Sequence, residues 1–117
     1  MLFRSREINI QVEDYKLKFE EKFQKTIIKT PAQVNDCVEV FKIPNFNHED
    51  YPKCVVMNKL IGLNTLHQEI REKGGAYGSG ASPSDSGLSV FYSFRDPHPE
   101  NTYNTFEKAL KIGRAHV

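Results

Sequence analysis

The apolar residues at the start of the chain follow two successive periods. Ile8, Ile10 and Val12 alternate with polar residues, which predicts a half-buried strand over residues 8–12. Asp14 can cap the helix that follows. On that helix, aromatic and aliphatic residues recur every four positions, at Tyr15, Phe19, Phe23 and Ile27. The pattern therefore predicts a strand followed by an amphipathic helix that is closed by Thr30 and Pro31.

A second strand is predicted over residues 34–43, where apolar residues fall on both faces. That pattern is typical of an interior strand. A long helix is predicted next, from about residue 50 to residue 72, because Asp50 can cap it and Pro52 is tolerated in a first turn. Its buried stripe is predicted at Val56, Leu60, Leu63, Leu66 and Ile70.

The last third of the chain predicts a hairpin and a helix. A run of small residues, GGAYGSGASPSDSG, precedes a strand on which Leu88, Val90, Tyr92 and Phe94 share one face and Ser89, Phe91 and Ser93 share the other. We interpret the two segments as a hairpin with residues 83–87 as its loop. A helix over about residues 100–111 should bury Tyr103, Phe106 and Leu110. The order of elements predicts an α+β fold, with helices packed on a mostly antiparallel sheet.

Composition adds two constraints on this fold. Hydrophobic residues make up 38% of the 117 residues, so either the core is modest or a neighbour completes the apolar faces. The net charge of +1 gives no reason to expect a nucleic-acid partner, and no apolar run approaches the length of a membrane span. The length fits one small domain or part of a larger one.

The cysteines and the amino-terminal residues carry little chemistry. Cys37 and Cys54 fit no metal or redox spacing; reduced thiols are favoured, and a disulfide between them stays open. Arg4 and Arg6 faintly resemble a mitochondrial targeting segment, but acidic residues follow at once. Because transit peptides are poor in acidic residues, we interpret this segment as mature sequence.

Two segments carry a family resemblance. LHQEIREKGGAYGSGA and GLSVFYSFRDP resemble the presequence-protease branch of the pitrilysin and insulysin zinc metallopeptidases, in which a helix ending in I-R-E-K precedes G-G-A-Y-G and a strand closing in S-Y/F-R-D-P. The similarity covers about residues 31–110. His98-Pro99 and the tail from Gly113 to Val117 depart from the family pattern. The resemblance implies that residues 1–117 are a single partial domain, a fragment of the C-terminal half of such an enzyme.

The family's metal chemistry is expected elsewhere. Its zinc motif, H-x-x-E-H, belongs to the N-terminal half, and none of the four histidines here begins that motif. His67 is followed by Gln68 and Glu69 but lacks the second histidine, and we interpret it as a helix residue beside the buried stripe. The resemblance implies zinc in the full-length enzyme, with its ligands absent from this chain. The implied partners are peptide substrates and the zinc-bearing N-terminal half, in the mitochondrial matrix.

Arg71 and Tyr77 match the arginine and tyrosine that reach toward the substrate in this family. The resemblance implies that they position the substrate and its transition state, since a phenol can donate to an oxyanion and a guanidinium to carbonyl oxygens. The small residues around Tyr77 would bind the substrate, because they let an extended peptide approach the backbone: Gly74, Gly75, Ala76 and Gly78.

Purely structural interpretations of these residues also stay open. Arg71 lies in a helix's last turn, where cations are favoured, and Tyr77 could be an ordinary strand aromatic. Gly78-Ser79-Gly80 is not a phosphate loop, since no Gly-Lys-Ser/Thr follows. Arg95 and Asp96 are predicted to stabilise a turn and the entry to the last helix. As a whole, the chain could also be a non-catalytic scaffold or peptide-binding subunit, or a truncated product without function.

Overall fold

A computed structural model describes Thr26 and residues 28–115, with side chains described as far as Ile112. The strand predicted over residues 8–12 and most of the helix predicted after Asp14 lie outside these residues. Residues 28–30, where that helix is predicted to end, have no regular secondary structure. The described elements are β1 (Asn35–Lys42), α1 (Tyr51–Ile61), a π-helix (Gly62–Glu72), β2 (Gly78–Ser84), β3 (Leu88–Asp96) and α2 (Pro99–Ala115).

The three strands form one antiparallel sheet in the order β1-β3-β2. β2 and β3 make the predicted hairpin, in which the Gly87 N–H donates to the Ser84 carbonyl over 3.1 Å. Gly87 has a φ of +93°, a conformation that glycine adopts without steric cost. Helices pack on this sheet, so the predicted α+β fold is confirmed.

β1 does not occupy the predicted interior position within the described sheet. It pairs with β3 alone among the described strands, so it lies at an edge of the three-stranded sheet that they form. The two faces of β1 have different surroundings. Cys37 is buried under the helices, whereas Val38 and Val40 are exposed on the opposite side. The face that carries Val38 and Val40, with Tyr92 and Phe94 from β3, is called the open face below.

The core lies between the sheet and the helices. Phe91 from β3 occupies its centre, 4.8 Å from the ring of Phe41 and 5.7 Å from the ring of Phe106, measured between ring centroids. The buried cluster consists of Cys37, Ile61, Leu66, Ile70, Ala76, Phe91, Phe106 and Ala109. On α2, the burial of Phe106 is as predicted, but Tyr103 is largely exposed and packs edge-on against Phe106.

The stripe predicted for the long helix is only half correct. Leu66 and Ile70 are buried, but Val56, Leu60 and Leu63 are exposed. The buried positions of α1 are instead Tyr51, Cys54, Asn58 and Ile61. The predicted stripe assumes one α-helical period along the whole helix, whereas the backbone changes at Gly62 to the wider i→i+5 hydrogen bonding of a π-helix.

Gly62 sits where the two helical forms meet and where the helix approaches the sheet. A Cβ atom at this position would lie 3.2 Å from the Ala81 backbone nitrogen on β2. The residue that weakens the predicted helix therefore also allows it to pack closely on the hairpin.

Both cysteines are free thiols buried in the fold. Burial raises the pKa of the Cys37 thiol, against the opposing effect of a hydrogen bond with Ser93. Each cysteine thus packs as a small apolar residue.

Candidate functional site

The turn after the π-helix places Arg71 and Tyr77. The Gly75 N–H donates to the Arg71 carbonyl and the Ala76 N–H to the Ile70 carbonyl, each over 3.1 Å. Gly75 has a φ of +78°, which L side chains rarely adopt. These bonds and the burial of Ala76 fix the path of the chain between the two candidate residues.

Gly74 is required by the same turn for a different reason. A Cβ atom at Gly74 would lie 2.6 Å from the Ile70 carbonyl oxygen, closer than real Cβ atoms approach an oxygen. The two glycines that stop the predicted helix therefore act separately: Gly74 leaves room for the last helical carbonyls, and Gly75 reverses the chain.

Tyr77 is anchored through its backbone and one side of its ring. Its N–H donates to the Phe94 carbonyl over 3.0 Å, and its ring packs edge-on against Phe94 at 5.9 Å between centroids. The side chain is nonetheless 69% exposed. Its hydroxyl makes no hydrogen bond with another described residue, so it is available to donate a hydrogen bond to a bound molecule.

Arg71 is exposed in the last turn of the π-helix. Within the described part of the chain, no ion pair or cation–π contact joins its guanidinium to another side chain. The structure therefore places Arg71 and Tyr77 at the two ends of one hydrogen-bonded turn without a direct contact between them. Gly78, at the start of β2, has open space where a Cβ would be.

Arg95 is the residue that the sequence interpretation missed. Its guanidinium carbon lies 5.8 Å from the centroid of the Tyr77 ring and 5.4 Å from that of Phe94, which is cation–π distance. Arg95 was assigned to a turn with Asp96, and no ion pair between these two neighbours occurs in the described chain. The contact with Tyr77 depends on an irregularity in β3 that the local pattern of apolar and polar residues does not predict.

Asp96 has the helix-entry role that the sequence predicted. Its carboxylate accepts hydrogen bonds from the His98 N–H over 2.8 Å, from the Ser93 hydroxyl over 2.7 Å and from the Thr102 hydroxyl. Burial alone would raise the pKa of Asp96, but these three hydrogen bonds outweigh it and hold the pKa below its usual value. The buried carboxylate thus fastens the end of β3 to the start of α2.

The described residues do not fit a zinc site. Among them, no three His, Cys, Asp or Glu side chains lie close enough together to share a metal ion. His67 instead approaches Glu72, with 3.3 Å between Nδ1 and Oε1, which is the i,i+5 spacing of a π-helix. In the same part of the chain, no helix has the length and apolarity needed to cross a membrane.

The family profile described as "Peptidase M16 inactive domain" matches residues 3–114. The chain belongs to the peptidase M16 family. The match covers nearly the whole chain and extends beyond residues 31–110, the segment that carries the resemblance seen in the sequence.

Curated M16 relatives give the same placement. The chain is 40% identical over 91 residues to the mitochondrial presequence protease of Danio rerio, which is 78% of this chain and 9% of that protein. It is 40% identical over 89 residues to the protein of the same name from Saccharomyces cerevisiae, or 75% of this chain and 9% of that protein. Against the protein of that name from Drosophila melanogaster, the identity is 43% over 83 residues, covering 70% of this chain and 8% of the relative.

The resemblance to the presequence-protease branch is thereby confirmed. The chain spans about a tenth of the length of these relatives. The relatives' names place them in the mitochondrion and describe them as acting on presequences.

Proposed function

We propose that this chain is part of a zinc metalloendopeptidase of the mitochondrial matrix that degrades short unstructured peptides, presequences among them. In this proposal the chain belongs to the C-terminal half and positions the substrate, while the N-terminal half holds the zinc. The observation that carries the proposal is the hydrogen-bonded turn of residues 71–77, which presents an exposed guanidinium and an exposed phenol on a chain similar to presequence proteases.

Tyr77 supplies a hydrogen-bond donor for the reaction. When water adds to the scissile carbonyl, negative charge develops on the carbonyl oxygen, and a phenol held at hydrogen-bond distance stabilises that charge. The hydroxyl is suited to this because it has no partner among the described residues, while the Phe94 carbonyl fixes the backbone of Tyr77. Little reorganisation is then required when the substrate binds.

Arg71 supplies donors for the bound peptide. Its guanidinium carries five N–H groups and no competing carboxylate partner in the described chain, so it can hold carbonyl oxygens of an extended substrate. Because these contacts form before the reaction as well as during it, Arg71 contributes to KM and to kcat.

The small residues beside Tyr77 make room for the substrate backbone. β2 pairs with β3 on one side, and its other edge has no backbone partner among the described residues. An extended peptide can add to such an edge as a further strand. Gly78, with open space where a Cβ would be, forms the approach to this edge. The turn residues Gly74, Gly75 and Ala76 set the path of the chain that leads into it, and Ala76 itself is buried.

A second candidate is a non-catalytic scaffold or peptide-binding subunit built on the same fold. The description of the matching M16 domain as inactive fits this candidate as well as the first, because neither places a metal site in this chain. The two differ in whether the complete protein cleaves the peptide that it binds.

The experiment is a cleavage assay on the complete protein that contains this chain. An internally quenched peptide of presequence type should be cleaved, a chelator should abolish the cleavage, and added zinc should restore it. A tightly folded protein of similar sequence composition should not be cut. Binding of the peptide without zinc-dependent cleavage would favour the scaffold.

A further inference from the structure

β3 contains a β-bulge beside the candidate site. Asn35 on β1 pairs with Asp96 and Cys37 pairs with Ser93. One residue of β1, Asp36, therefore lies opposite two residues of β3, Phe94 and Arg95. This is the two-against-one arrangement of a bulge, and bulges re-aim side chains in this way next to active sites.

The bulge changes which side of the sheet each residue occupies. In a regular strand, neighbouring side chains point to opposite faces, so Arg95 would point away from Phe94. Here the extra residue leaves both Ser93 and Asp96 buried, at 2% and 1% exposure, and leaves both Phe94 and Arg95 exposed. The guanidinium consequently lies over the rings of Phe94 and Tyr77.

The backbone of Arg95 is held in an unfavourable conformation. Its φ is +49°, and among the described residues no other non-glycine residue has a positive φ. The Arg95 N–H donates to the Asp36 carboxylate over 3.0 Å, which stabilises the bulge from the neighbouring strand. A non-glycine residue kept in this region signals that the surrounding structure requires it there.

We propose that Arg95 is a positioning residue for Tyr77. The guanidinium and the Phe94 ring lie 5.4 Å apart and both contact the Tyr77 ring. Together they limit its rotation, so the phenol is held where the substrate oxyanion forms. The proposal rests on the function assigned above to Tyr77. The proposal adds Arg95, a residue of β3, to the candidate site. It also gives the bulge a role, which is to bring the guanidinium to the Tyr77 ring.

The first test is a double-mutant cycle in the complete protein. Arg95→Met keeps much of the side chain's length but loses the planar charge. Alone it should lower kcat about threefold to thirtyfold, the range of an ordinary cation–π contact, with little change in KM. In the Tyr77→Phe background it should change kcat by less than about twofold, because no hydroxyl remains to position.

Two further variants serve as controls for this result. Arg95→Lys keeps a cation near the ring and should retain more activity than Arg95→Met. Lys73→Met removes a charge from the same turn, where Lys73 pairs with Glu69 at 2.7 Å, and should leave kcat unchanged. An equal effect of Arg95→Met with and without the Tyr77 hydroxyl, or an effect on KM alone, would overturn the proposal.

A second readout separates this inference from the proposed function. A fluorinated tyrosine incorporated at position 77 reports the ring's surroundings by fluorine NMR. Its resonance should move in Arg95→Met and stay in place in Lys73→Met. A shifted resonance together with wild-type kcat for Tyr77→Phe means that Arg95 positions the ring but the ring has no catalytic role. An unshifted resonance with a strongly impaired Tyr77→Phe enzyme rejects the positioning role and leaves the proposed function intact.

Discussion

At the scale of single residues, the two glycines that flank Ala76 and Tyr77 differ in what they supply. Gly75 is required for its backbone conformation, because its φ of +78° disfavours residues that carry a Cβ. Space is not the reason, since a Cβ there would meet nothing closer than Pro97 at 3.8 Å. Gly78 has no such conformation, and a Cβ there would contact nothing within 4 Å. Folding should therefore depend on Gly75, and substrate access on Gly78.

The two glycines form a matched pair of variants. Gly75→Ala should lower the free energy of unfolding by about 1–2 kcal/mol, the cost of a left-handed conformation for an L residue. Gly78→Val should leave the melting temperature nearly unchanged but raise KM severalfold, because its branched side chain occupies the space that a peptide backbone needs. Thermal melts and steady-state kinetics on the complete protein measure both. Wild-type KM for Gly78→Val would exclude this edge as the binding surface.

The sequence predicts the roles of some of these residues but not of others, for physical reasons. A helix stop at Gly74 and Gly75 follows from local chemistry, and so does the capping role of Asp96. The role of Arg95 does not, because it depends on Asp36, which is distant along the chain and meets it only across the sheet. For Arg71 and Tyr77, the residues alone left a structural interpretation open, and family resemblance was needed to single them out.

At the scale of elements, hydrophobic periodicity found the helices but not their form. It predicted one helix near residues 50–72 and assumed an α-helical period throughout. The change to a π-helix at Gly62 displaces the buried face, so residues predicted for the core, such as Val56 and Leu60, are exposed. The alternation in β3 was correct, but alternation cannot say which face is covered: the helices cover Ser89, Phe91 and Ser93.

The junction between β3 and α2 should be sensitive to acid. The pKa of Asp96 is below its ordinary value in the folded chain, so the carboxylate contributes stability above the unfolded-state pKa of about 3.9. That contribution is lost as the pH falls through the lower, folded-state pKa.

Asp96→Asn is the variant that tests this junction. It should lose about 2–3 kcal/mol at neutral pH, the range for hydrogen bonds to a charged group. The difference between the melting temperatures of wild type and variant should then narrow as the pH is lowered from 7 to 3. A constant difference between the two melting temperatures over this range would show that the charge of Asp96 is not what stabilises the junction.

At the scale of the whole molecule, the described fold leaves two apolar surfaces uncovered. One is the open face of the sheet, with Val38, Val40, Tyr92 and Phe94. The other is a groove between α1 and α2, lined by Val56, Leu60 and Ile112 among others. Since the chain spans about a tenth of its relatives' length, the proposed peptidase offers ample further chain to cover both.

The isolated 117-residue chain should therefore self-associate. Exposed apolar surfaces and unpaired sheet edges favour association between copies. Light scattering over a concentration series should show species larger than a monomer, and substitution of Val38 and Val40 by threonine should reduce them. A stable monomer at high concentration would show that these surfaces need no partner.

The central claim is a division of labour, in which this chain contributes the Tyr77 hydroxyl to a reaction whose metal lies elsewhere in the protein. The most direct measurement is kcat, KM and zinc content of Tyr77→Phe in the complete protein. We predict a loss of about 10²–10³ in kcat, with KM, bound zinc and melting temperature close to wild type, because the ring and its packing on Phe94 are kept. A variant that retains near-wild-type kcat would contradict the account, since Tyr77 would then be a packing residue.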